Sequence, residues 1–235
     1  MMLYVTNNLV ENGANLDARI FNLHDVFLFT TVFECLLLAV YRLAIPLKRS
    51  LDGYFLSLFM LVIAIDCFCL IFIWNPELSS TSFWSQKILL YIYLCAELWR
   101  GPLFFLCVLS LTQGTTKIQR CHLYHFAWAF VAVGLFIVCD ISLDNFKLSS
   151  GSYSQQLFAR VIWYANILFS IGYATWSLLL VARYQNTLYQ QYSEVSESQF
   201  IWLRVLTMGF MFAWSWSLIT MIADDLFGGW VADRF

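Results

Sequence analysis

Residues 88–111 read ILLYIYLCAELWRGPLFFLCVLSL. At about 1.5 Å per residue this run makes a helix of about 36 Å, enough to cross a hydrocarbon core of roughly 30 Å. Glu97 and Arg100 stand at its middle, three residues apart, so they share one helix face and can pair. Either charge alone at mid-bilayer costs at least about 2.5 kcal/mol, which makes mutual neutralisation the cheapest arrangement. Gly101 and Pro102 follow at once. Pro102 has no amide hydrogen, so the Leu98 carbonyl loses its usual helical donor and a kink is expected there. Hydrocarbon cannot satisfy that carbonyl; only a side chain, a water or another helix can. The stretch is therefore expected to face protein along Glu97 to Pro102, with the fold closing around it.

The rest of the composition agrees. Of 235 residues 61% are hydrophobic, 19% aromatic and only 12% charged, with a mean hydropathy of +0.71. Soluble domains carry roughly 25% charged residues, so this chain lacks the polar surface that water requires. It reads as an all-α, polytopic membrane helix bundle with the lipid bilayer as its first partner. A net charge of −2 offers no basic footprint for nucleic acid through these residues. The cysteines (35, 67, 69, 95, 107, 121 and 139) lie mostly in apolar runs and show no disulfide or zinc spacing. They read as small buried side chains.

Six spans are expected: 22–43, 54–74, 88–111, 123–139, 161–181 and 201–222. The fourth is near the short limit of about 17 residues. Residues 1–21 form an extracytoplasmic N-terminal segment, without the basic n-region of a signal peptide and with a short surface helix over Leu9–Phe21. Residues 22–222 form the six-helix transmembrane domain, and 223–235 a polar tail. The links expected between spans are a basic stretch turning at Asp52-Gly53, the Pro- and Ser-containing 75–87, 112–122, the hydrophilic 140–160 and the Tyr- and Gln-rich 182–200. Lys and Arg favour one side: Arg42, Lys48, Arg49, Lys117, Arg120, Arg183 and Arg204, against Arg19, Lys87, Lys147, Arg160 and Arg234. The richer side is expected in the cytoplasm, leaving both termini outside it.

Counting inward from the span ends puts Glu34, Asp66, Glu97 and Arg100 near mid-depth. Three acids and one base leave an excess of negative charge unless protons or a ligand compensate. Two readings follow: a polar pocket for a small cationic or hydrogen-bonding ligand, or a proton-linked switch. Plain structural pairing across helices accounts for the same residues. Trp99, Asn166, Trp214 and Trp216 complete the candidate set, the tryptophans as apolar walls or ordinary core. Asn166 lies in a span with Ser170, Gly172, Thr175 and Ser177, small and hydroxyl residues that favour close helix contact. No catalytic constellation stands out: there is no H-E-x-x-H, no phosphate-binding glycine loop and no G-x-S-x-G. The histidines lie near span ends, which argues against a bis-histidine haem, and the last span has no lysine for a retinal Schiff base. Neither an enzyme nor a cofactor or metal is expected.

Three stretches resemble a family. Gly101-Pro102-Leu103-Phe104-Phe105-Leu106 with Leu111-Thr112 resembles the "GPLLYLYV…LT" motif of bacterial AraC-type regulators that carry a multi-span N-terminal membrane domain. Tyr192-Ser193, Ile201-Trp202-Leu203-Arg204 and Gly209-Phe210 resemble their "FS…WLR…GF" passage. Phe33-Glu34-Cys35-Leu36-Leu37-Leu38-Ala39 resembles their "FQGLLLA", with Glu34 for the usual Gln and Cys35 for the usual Gly. That resemblance implies a membrane-embedded sensor domain with seven helices in the bacterial inner membrane, followed by a cytoplasmic DNA-binding output domain. This chain departs in carrying six spans and a polar tail, so it reads as a fragment or truncated form. The signal would be a small molecule or a property of the membrane, and the arrangement allows a homodimer. A substrate-binding membrane component of a small-molecule transporter is the alternative, and it would need a deep pocket.

Overall fold

The computed structural model describes residues 22–44, 51–75, 78, 83–113, 124–141, 143–146, 153–191 and 198–227. The surface helix expected over Leu9–Phe21 lies outside them. The described elements are all helical: α1 (Leu23–Ala44), α2 (Leu51–Trp74), α3 (Phe83–Gln113), α4 (Ala127–Val138), α5 (Leu143–Phe146), α6 (Tyr153–Gln191) and α7 (Ser198–Phe227). Five of them, α1, α2, α3, α6 and α7, are long and apolar enough to cross a membrane. This is a multi-pass helical membrane protein.

α3 is the centre. It packs against α2 on one side and α6 on the other, and also touches α4 and α5. α1 lies outside α2, and α7 packs on α6. Matched contacts fix the directions. Asp66 meets Arg100 and Phe59 meets Phe104, so α2 and α3 are antiparallel. Tyr93 meets Trp163, Glu97 meets Asn166, and Phe105 meets Trp176, so α3 and α6 run parallel. A parallel pair needs an intervening return, and α4 supplies it: Lys87 at the start of α3 reaches Asp140 just past the end of α4.

α1 starts with a side-chain cap from its first turn. Asn22 precedes the helix, and its amide donates to Asp25 Oδ2 at 3.1 Å. The same oxygen accepts from Asn75 Nδ2 at 2.8 Å, tying the start of α1 to the end of α2. At the other end of this pair the Arg42 guanidinium lies over Gly53, within 3.2 Å of where a Cβ would sit.

Helix ends differ from the expected span ends. α6 has 39 residues, about 58 Å, and runs through the first half of the link expected over 182–200. α5 and the start of α6 occupy part of 140–160, and α7 carries on through Asp224 and Asp225 to Phe227. Hydropathy marks where a bilayer stops, whereas Gln, Arg and Lys sustain a helix in water almost as well as Leu does. α4 deviates the other way. With its leading 3₁₀ turn it covers Tyr124–Val138, roughly 24 Å and short of a full bilayer crossing. It ends where Asp140 turns into the left-handed region at φ 47°, a conformation Asp tolerates better than most residues.

Candidate functional site

Three helices converge halfway along α3. Arg100 forks between two acids: Nη1 donates to Asp66 Oδ2 at 2.9 Å, and Nη2 donates to Glu97 Oε1 one helical turn earlier on the same helix. Asn166 of α6 donates from Nδ2 to the same Glu97 oxygen at 3.2 Å. Asp66 Oδ2 and Glu97 Oε1 thus sit on the two terminal nitrogens of one guanidinium, which brings the two carboxyls side by side. Asp66, Glu97 and Asn166 are 1%, 7% and 4% exposed, so water does little to screen them. The expected Glu97–Arg100 pair is thus one edge of a larger cluster. Position along the chain gives depth but not azimuth, so Asp66 as the third member depends on how α2 packs.

The cluster is under-satisfied. Asp66 Oδ1, Arg100 Nε and Asn166 Oδ1 are buried without a hydrogen-bond partner, as is Trp99 Nε1 nearby. Two carboxylates around one guanidinium leave one negative charge in a setting of low dielectric. Buried polar groups are normally paired, and an unmade bond to one costs about 1–3 kcal/mol, which makes this concentration the candidate site.

Beside it lies a small cavity whose lining includes Tyr93, Glu97, Phe146, Ile162, Trp163 and Asn166. Space for the centre of a water molecule is about 10 Å³, roughly one water. An organic solute does not fit there. Tyr93 was not singled out from the sequence, although it lies four residues before Glu97 and so shares its helix face. Its ring packs against Trp163, which stacks on Phe146 at 5.0 Å.

The other candidates separate. Glu34 is on the exposed side of α1 among exposed Phe33, Leu37 and Leu38, while its neighbour Cys35 is buried. The pairing of Asp25 with Asn75 and of Arg42 with Gly53 puts Glu34 level with Asp66, but it faces away from the bundle. It does not join the cluster. Trp99 packs edge-on against Phe126 and Phe130 at the start of α4. Trp214 is buried against Phe210, and Trp216 is exposed and stacked on Phe212. Neither lines the cavity. α3 continues as helix through Gly101 and Pro102 without a break. Gly101 sits at a close approach: a Cβ there would lie 3.1 Å from the Tyr173 ring on α6, which would have to give by a few tenths of an ångström. Tyr173 in turn shares a 2.6 Å hydrogen bond with His125, just before α4.

Among the described residues no group of His, Cys, Asp and Glu is arranged to hold a metal ion. The six described cysteines are free thiols. No protein-family model, curated protein or solved structure matches this chain.

Proposed function

We propose that the chain is the membrane-embedded signal-sensing domain of a bacterial regulatory protein, coupled in the whole protein to a cytoplasmic DNA-binding output domain. The observation that carries this reading is the Asp66–Arg100–Glu97–Asn166 cluster. It is a buried, charge-unbalanced and under-bonded junction of α2, α3 and α6, set between clusters of apolar side chains. Such a junction has few stable arrangements and high stakes, and a small change in charge or bonding at it shifts helices against one another. In this reading α4 with its flanking residues makes a sixth, short crossing, both ends of this chain lie outside the cytoplasm, a seventh helix returns the whole protein to it, and the protein sits in the inner membrane. The motif likeness to AraC-type membrane regulators supports the output assignment. The transporter reading needs a solute-sized pocket at the cluster, and the space there takes about one water.

Transcript profiling of the source organism tests this, comparing wild type, a deletion and the Asp66→Asn variant of the full protein. A defined set of transcripts should change in the deletion and lose its response in the variant. Unchanged transcripts together with loss of uptake of a solute would overturn sensing in favour of transport.

A further inference from the structure

We propose that Asp66 and Glu97 share one bound proton, so that the junction of α2, α3 and α6 is a proton-binding site and proton occupancy is the chemical signal it reads. The geometry leads there in three steps. Asp66 Oδ2 and Glu97 Oε1 both accept from Arg100, which compensates one of the two acids and leaves the second uncompensated. Asp66 Oδ1 is buried with no hydrogen-bond partner, while Glu97 is held beside Asp66 by the guanidinium they share. A proton between the two carboxyls supplies that donor, neutralises the remaining charge and adds no volume. The adjoining space of about 10 Å³ admits a water to carry the proton but not an organic cation.

The surroundings add no competing charge. On α3 the neighbouring titratable groups are Tyr93 and Arg100 itself, on α2 they are Cys67 and Cys69, and on α1 it is Cys35, which lies near Cys67. Asn166 is the polar side chain that α6 brings, and it can only hydrogen-bond. Among the described side chains of α4 and α5 no acid or base stands at this level. Release of the proton leaves two carboxylates against one guanidinium. The strain falls on the contacts that hold α2 and α6 to α3, because Asp66 and Asn166 come from those helices.

This inference rests on the sensing reading for its consequence but not for its chemistry, so the two fail separately. pH-difference infrared spectroscopy of the purified full protein in lipid nanodiscs reads the carbonyl stretch of a protonated carboxylic acid. A Glu34→Gln background removes the other acid at the same depth. One such band is expected, and it should vanish in Asp66→Asn and equally in Glu97→Gln, because either change leaves one acid fully paired with Arg100. Should those variants not fold, ¹³C-labelled aspartate or glutamate in the Glu34→Gln protein assigns the band by its isotope shift. Absence of a protonated carboxyl, or a band that survives both substitutions, overturns the proposal. So does a band abolished by exchanging choline for sodium at constant pH, which would make the bound cation Na⁺. A confirmed band without any pH-dependent transcript change would leave the proton site standing and sink the sensing role.

Discussion

α1 and α3 are both apolar helices with a glutamate near mid-depth, and the two glutamates meet opposite fates. In α3, 72% of the membrane-spanning window is buried and Glu97 bonds to Arg100 and Asn166; in α1 the figure is 11% and Glu34 faces outward. The difference is one of neighbours. α3 is enclosed by α2, α6, α4 and α5, whereas α1 touches α2 along one narrow face marked by Asp25, Cys35 and Ala39. The same side chain is thus a structural necessity at one position and an accessory at the other. The contrast shows that depth in a bilayer does not by itself make a residue part of a site.

The sharpest way to break this comparison is Arg100→Leu. It strands two buried carboxyls at once, and the expected loss is roughly 3–5 kcal/mol, read by thermal unfolding in detergent. The membership of Asp66 changes what rescues it. Removing Glu97 together with Arg100 still leaves Asp66 unpaired, so the double variant should remain damaged. Adding Asp66→Asn should recover much of the loss. A double variant as stable as wild type would show that Asp66 is not part of the cluster.

A smaller effect is expected from Gly101→Ala. The new methyl must push the Tyr173 ring, which is itself held by His125, and overpacking of this kind costs about 1–3 kcal/mol. Pairing it with Tyr173→Leu should remove most of the penalty, and equal penalties in both backgrounds would place the strain elsewhere.

Arg160→Gln probes a charged contact at the rim. Arg160 bonds Asp225 at 2.8 Å, with 41% and 28% of the two side chains exposed, and Tyr164 donates to the same carboxylate at 2.6 Å. Solvent screening holds the expected cost to roughly 0.2–1 kcal/mol. A loss comparable to that of Arg100→Leu would mean that this contact escapes solvent screening and is what holds α7 on α6.

The smallest effect is expected at Glu34. Glu34→Gln should alter unfolding by no more than about 0.5 kcal/mol, because no bundle contact depends on the carboxylate. A large loss would mean that the outward face of α1 is covered by another chain, and cross-linking through a cysteine at Phe33 or Leu37 would then reveal it.

Much of this protein was legible from its residues alone. Long apolar runs with few charges admit only helices that satisfy their own backbone, which fixes the class and marks five of the spans. The Glu97–Arg100 pair was legible because spacing of three on one helix is local geometry. So was the central place of α3, since a pair of charges and a proline in one apolar run both demand protein around them. Tertiary structure decided the rest. It brought Asp66 and not Glu34 to Arg100, because both lie at the same depth and only the rotation of each helix against its neighbours separates them. It also set the lengths of α4 and α6, because the end of a helix depends on caps and propensity, whereas hydropathy records only where lipid gives way to water.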